Sequence, residues 1–166
     1  MVAAVALITV VSVLTGGKAT NTPTNQLVGQ HMKSFSVAGL NGGTVTAPWV
    51  SGHPSVVMFF ASWCGPCKAE MPKVAAYLRT HNLSPVAVLG VDVNDPLSAG
   101  RAFVKKDGFT FPVASDMNFT VTNGIFGFGG IPETVFLNAK GVVLQVYFGA
   151  IPTKQLASDI KLFKSA

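Results

Sequence analysis

Apolar residues in this chain fall into short continuous runs divided by polar, glycine or proline breaks, and each run predicts an element. Val56-Val57-Met58-Phe59-Phe60 is rich in β-branched and aromatic side chains and lacks polar alternation, the pattern of a strand buried on both faces. Met71, Val74, Ala75 and Leu78 then recur at helical spacing. They predict a helix over 68–79 with a kink at Pro72, because an interior proline removes a backbone hydrogen bond. Pro85 to Val93 reads as a second buried strand, and a strand-helix-strand order of this length implies a parallel pair with a right-handed crossover. Asn94 or Asp95 is expected to cap the next helix, with Pro96 at its first position, Leu97, Phe103 and Val104 turned inward and Gly108 as its stop. Phe111 to Asp116 follows as a short strand.

The same pattern organises the flanks. Phe35 to Leu40, the turn residues Asn41-Gly42-Gly43 and Thr44 to Thr46 predict a β-hairpin. Between 116 and 130 the pattern gives a short helix over 119–123 and then a glycine-rich loop. Ile125, Phe126 and Phe128 in that loop either rim a groove or lie buried beneath it, and burial is the expectation. Thr134 to Asn138, the turn Ala139-Lys140-Gly141 and Val142 to Phe148 form a last hairpin. Thr153 is expected to cap a terminal amphipathic helix with Leu156, Ile160 and Phe163 on one face.

Val2 to Leu14 is almost wholly apolar and ends at Thr15-Gly16-Gly17-Lys18. A spanning helix needs about 20 apolar residues, so the run has the length of a signal-peptide core. No lysine or arginine precedes it, unlike a signal or an anchor; the competing reading is a buried element of the domain. The expected organisation is a signal peptide or membrane anchor over 1–18, a polar tether over 19–30 and one domain over 31–166.

Composition narrows the picture modestly. Of 166 residues, 49% are apolar and 11% charged, which fits a compact sheet-and-helix domain and excludes disorder. The net charge of +5 is spread from Lys18 to Lys164 with no run longer than Lys105-Lys106, so no nucleic-acid partner is expected.

The candidate chemistry lies where the first buried strand gives way to its helix. Cys64 and Cys67 are the only cysteines. A helix start offers unpaired N–H groups and a positive dipole end, which favour a thiolate. Cys64, at the outer edge of the first turn, is expected to be the exposed nucleophile, and Cys67, one turn further in, its disulfide partner. Gly65-Pro66 between them sets the turn and leaves an incoming sulfur unobstructed. A Cys-x-x-Cys pair also reads as half a zinc site, but His31, His53 and His81 are scattered, and no metal is expected.

Trp63-Cys64-Gly65-Pro66-Cys67-Lys68, with Phe59-Phe60-Ala61-Ser62 before it and Pro72 after it, resembles the active-site motif of the thioredoxin superfamily. The resemblance covers roughly Gly29 to the C-terminus. It implies an α/β thioredoxin-like fold: a mixed central sheet flanked by helices, with an N-terminal β-hairpin and a central strand-helix insertion. Gly130-Ile131-Pro132-Glu133-Thr134 looks like the family's cis-proline loop, which lies against the dithiol and pairs with substrate backbone. The insertion around Val86 to Lys106 resembles that of the TlpA/ResA/DsbE-like group of bacterial thiol-disulfide oxidoreductases.

That resemblance implies catalysis by Cys64 and Cys67 and substrate contacts from Trp63, Gly65, Pro66, Ile131 and Pro132. It requires no cofactor. The implied partners are protein disulfides or dithiols and a membrane-bound redox protein, outside the cytoplasm, in the periplasm or on the outer face of the cell membrane, with the enzyme anchored or secreted. The Gly-Pro dipeptide is that of thioredoxin, a reductant near about −270 mV, so reduction is the expected direction, with apocytochrome c the group's best-known substrate; some relatives run as oxidases.

Two departures stand out. Thioredoxin's buried acid, six positions before its first cysteine, is replaced here by Met58. Glu70 matches an acid that ResA-like proteins carry near their dithiol, and the resemblance implies a catalytic role for it as the proton acceptor that Met58 cannot be; taken alone it reads equally as a solvated first-turn glutamate. Two rivals share the fold. A peroxiredoxin needs threonine or serine three positions before its reactive cysteine, where this chain has Ala61. A copper chaperone adds a histidine well after the cysteines, and none follows His81.

Overall fold

The computed structural model describes residues 26–127 and 129–164. The expected signal or anchor, the tether up to residue 25 and Phe128 lie outside the described residues. A hairpin of β1 (Ser36–Ala38) and β2 (Thr44–Thr46) precedes the main sheet, which contains β3 (Ser55–Phe60), β4 (Ala87–Val93), β5 (Val113–Asp116), β6 (Glu133–Leu137) and β7 (Val143–Phe148). Among the described residues three α-helices accompany the sheet: α1 (Gly65–Thr80), α2 (Leu97–Lys106) and α3 (Thr153–Lys164). The sheet runs β5-β4-β3-β6-β7; β3, β4 and β5 are parallel, and β6 and β7 are antiparallel to their neighbours. This is the mixed thioredoxin-like sheet that the resemblance implied.

β3 is central because every one of its side chains is buried, as its unalternating sequence requires. Val56, Met58 and Phe60 join Met71, Val74 and Leu78 of α1, Phe103 and Val104 of α2, and Leu156 and Ile160 of α3. Val57 and Phe59 face the other way, into a cluster with Phe35, Trp49, Phe126, Val135 and Leu137. Phe126 is fully buried, as expected, and its ring meets Phe59 edge-on at 5.0 Å. Before the hairpin the chain is already tied to the sheet. The Gly29 N–H donates to the Val143 carbonyl (2.8 Å), and the Val143 N–H donates to that of Gln30 (2.9 Å). Among the described residues no helix is long and apolar enough to cross a membrane.

Five local expectations are corrected. Leu97, expected to turn inward with Phe103 and Val104, is 45% exposed because it stands at the first position of α2, outside its buried face. The first helix begins at Gly65 rather than Lys68, so Cys67 is inside it, and it continues through Pro72 to Thr80. Neither Asn94 nor Asp95 caps α2; Pro96 holds that place without a side-chain bond, because the Asp95 carboxylate is engaged elsewhere. The helix expected over 119–123 is instead a π-helical turn over Thr122–Phe126. Asp116 delays it by accepting the backbone N–H of Val121 (3.0 Å) and of Thr122 (2.8 Å) and the Thr122 hydroxyl (2.9 Å). Thr153 is the first residue of α3 rather than its cap, and the Leu156 N–H reaches back to the Pro152 carbonyl.

Candidate active site

β3 ends at Phe60, the chain turns through Ala61-Ser62-Trp63, and Cys64 occupies the N-cap of α1. Its Sγ accepts the Cys67 N–H at 3.1 Å, one of the donors a helix start leaves unpaired. Cys64 and Cys67 form a disulfide with their Cα atoms 5.2 Å apart. Cys67 is fully buried and Cys64 is 4% exposed. This corrects the expectation of an exposed Cys64: in the disulfide its sulfur is drawn inward onto Cys67, and the pair joins the core between β3 and α1. Gly65 and Pro66 are exposed above it. A Cβ on Gly65 would meet open space, so glycine here keeps the approach clear and is not demanded by backbone conformation.

Ser62 and Trp63 are held from the β4–α2 connection. The Asp95 carboxylate accepts the Ser62 N–H (2.6 Å) and hydroxyl (2.9 Å), and the Trp63 indole N–H donates to the Asn94 carbonyl (3.1 Å) while the side chain stays 55% exposed. The Ile131–Pro132 peptide bond is cis. Register pairs Phe59 with Glu133, so Ile131-Pro132 falls beside the end of β3, and Ile131 packs against the cluster that contains both cysteines.

Glu70 is not a solvated residue. It lies one helical turn past Cys67, where positions three apart share a face, and it is 6% exposed. Its Oε1 accepts the Ile151 N–H at 2.8 Å, and its Oε2 is buried without a partner. Burial pushes its carboxyl up to about 7, against a smaller opposing pull from the Ile151 N–H. Lys73, Ala150 and Thr153 join Glu70 around a cleft of about 270 Å³. Met58 is buried in the core at the position of thioredoxin's acid.

Three further acids lie near this site; none has a site role on sequence alone, Asp95 being expected only as a helix cap. Glu133, beside Pro132, is 1% exposed and neither oxygen has a hydrogen bond of normal geometry; burial pushes it up to about 7, offset in part by the Gly129 backbone N–H. Asp92 and Asp95 are each 1% exposed. The available signal was an acid inside an apolar run, Val91-Asp92-Val93, in a chain with only seven carboxylate side chains. Among the described residues no group of three or more His, Cys, Asp or Glu side chains is arranged to hold a metal ion.

A cysteine pair at a helix start, delivered by a central parallel strand and faced by a cis-proline, defines a thioredoxin-like dithiol protein. Residues 28–146 match the family described as AhpC/TSA, and the chain belongs to that family. It is similar to the thiol-disulfide oxidoreductase ResA of Halalkalibacterium halodurans, 24% identical over 136 residues that cover 82% of this chain and 77% of that protein. It is also similar to ResA of Bacillus subtilis, 26% identical over 136 residues that cover 82% and 75%. A solved thiol:disulfide interchange protein of the thioredoxin family from Chlorobium tepidum superposes with a TM-score of 0.70 at 25% identity, over 81% of this chain and 96% of that one. With its Cys64–Cys67 pair, this chain is a thiol-disulfide oxidoreductase similar to ResA.

Proposed function

We propose that the enzyme reduces disulfides of exported proteins outside the cytoplasm, apocytochrome c among them, and is recharged by a membrane-bound dithiol protein. The observation that carries this is the N-cap placement of Cys64, with Cys67 sealed behind it and Glu70 one turn further in. The apolar run Val2 to Leu14 supports export, and the Gly-Pro dipeptide supports the reducing direction.

In the reduced enzyme the Cys64 thiolate attacks one sulfur of a substrate disulfide. A mixed disulfide forms, and the first substrate sulfur leaves as a thiolate that takes a proton from water. Cys67 gives its proton to Glu70 and attacks Cys64 Sγ, releasing the second substrate sulfur. Two electrons pass to the substrate, and the Cys64–Cys67 disulfide remains on the enzyme. A carboxyl near 7 suits this transfer, because it is divided between acceptor and donor forms at neutral pH. Trp63, Gly65 and Pro66 form the contact surface on the helix side, and Ile131-Pro132 meets the substrate backbone. Insulin reduction driven by dithiothreitol tests the activity, with and without chelator; tight stoichiometric Cu(I) binding without exchange would overturn it in favour of a copper carrier. Cys67→Ala, which stalls at the mixed disulfide, captures the partners from the outer compartment of the host.

A further inference from the structure

Two buried acids that the exchange chemistry does not use stand directly behind the dithiol loop. Asp92 lies near the end of β4, and parallel register sets it beside Phe60, the last residue of β3 before the loop. Its carboxyl is pressed against α2: a Cβ added to Gly100 would stand 2.0 Å from Asp92 Oδ2 and 3.2 Å from the Leu40 side chain. Neither Asp92 oxygen accepts a hydrogen bond from an N–H or hydroxyl donor. What Asp92 does meet is Asp95, whose two oxygens are taken up by the Ser62 N–H and hydroxyl. A carboxylate without donors in an apolar site is costly, whereas a carboxyl that gives its own hydrogen to a neighbouring carboxylate is satisfied.

We propose that Asp92 and Asp95 share one proton as a carboxyl–carboxylate pair, and that this pair positions the dithiol loop by holding Ser62. Asp92 is a positioning residue: it touches neither sulfur and acts through Asp95. With the proton in place, Asp95 carries one negative charge and accepts three hydrogens, from Ser62 N, Ser62 Oγ and Asp92. Burial first, and the Asp95 charge and hydrogen bond after it, push Asp92 up to about 8, so the pair keeps its proton at neutral pH. Above that, two like charges share one dry site, the pair separates and Ser62 loses its fixed acceptor. The surrounding elements leave the pair to itself. Arg101, next to Gly100 on α2, donates its Nε–H to the Leu40 carbonyl at 2.6 Å. Asp116 on β5 is taken up by Val121 and Thr122. Phe60 of β3, Ser115 of β5 and Leu40 bring no charge, and Cys64 and Cys67 lie beyond the loop at the start of α1.

The effect on exchange rests on the oxidoreductase reading; the pair itself does not, and the test separates them. In the oxidised protein no thiol titrates, so the Ser62 amide can be followed by NMR from about pH 6 to about pH 10. Its resonance should move with a midpoint near 8. In Asp92→Asn the side-chain amide donates to Asp95 at every pH, and the same resonance should stay flat. The exchange rate of Asp92→Asn relative to the parent should rise from about one at neutral pH to about fivefold in alkali, the factor for one hydrogen bond. Asp92→Ala, with no donor, should be slower than the parent by about fivefold at neutral pH. A Ser62 amide that does not move in the parent, or that moves equally in Asp92→Asn, overturns the pair. A titrating amide with an exchange ratio that stays at one overturns its positioning role, and a parent with no exchange activity leaves the amide titration as the deciding measurement.

Discussion

The two ends of the central sheet are built from opposite materials. At one end, Val56 stands opposite Phe136, Val88 lies beside Val56, and Leu78 closes the cluster. This end is aliphatic and aromatic, with Phe136 stacked on Phe163 at a centroid distance of 5.1 Å. At the other end, the same strands finish beside Glu70, Asp92 and Glu133, each almost wholly buried and each held well above the ordinary carboxylate range. The first end supplies cohesion. The second sets protonatable groups around a disulfide, so apolar cohesion and buried ionisable groups are divided along the strands of one sheet.

The comparison is broken most completely at the sulfur itself. Cys64→Ser should abolish exchange, a loss of at least about a thousandfold for removal of a covalent nucleophile, while the reduced parent and the variant melt alike. Insulin turbidity and a thermal scan of the same sample check both halves. At the opposite end, Phe136→Ala should remove about 3–5 kcal/mol of stability in a denaturant titration, yet the folded fraction should exchange at the parent rate. A variant that stayed stable but exchanged slowly would show that the two ends are coupled.

Acid sharpens the contrast. The folded values of Glu70, Asp92 and Glu133 lie above their unfolded ones, so the native state keeps protons that the unfolded chain releases, and stability falls as pH rises through about 7 to 8. The melting temperature should climb as pH is lowered from about 8 toward about 5, and Glu133→Gln should flatten that rise while increasing stability at the alkaline end. Glu70→Gln should slow exchange by roughly a hundredfold, at the low end for a lost proton acceptor, and let the thiolate form at lower pH by removing a nearby negative charge. Superimposable thiolate absorbance titrations and equal rates for the variant and the parent would leave Glu70 outside the chemistry. The smallest effect is expected at Trp63→Phe, which loses one exposed hydrogen bond to Asn94 and should change exchange by about two- to fivefold without shifting the melt.

The aliphatic end was the legible one. Val56 to Phe60 and Pro85 to Val93 read as buried strands because a side chain that meets core on either face leaves no alternation, and that signal is local. The dithiol was legible through its spacing, and Pro132 through the motif around it. What could not be read was where the acids go. Asp95 has the chemistry of a helix cap, but a serine 33 positions earlier takes its carboxylate. Asp116 defers a helix by reaching five and six residues ahead. Glu70 taken alone reads equally as a solvated first-turn residue, and it is buried by a segment 81 positions away. In each case a tertiary contact overrides a sound local preference.

Those long spans also set when the site can be assembled. Cys64 and Cys67 emerge early from the ribosome, but the acceptor that fixes Ser62 is 33 residues further on, and the N–H that fixes Glu70 is 81. Contacts so distant in sequence form only after the intervening chain has been made and closed, and such closures come late. Until Ile151 is in place, Glu70 has no backbone donor to hold it one turn past Cys67. A chain ending before Ile151 would carry both sulfurs and lack the backbone donor that holds Glu70.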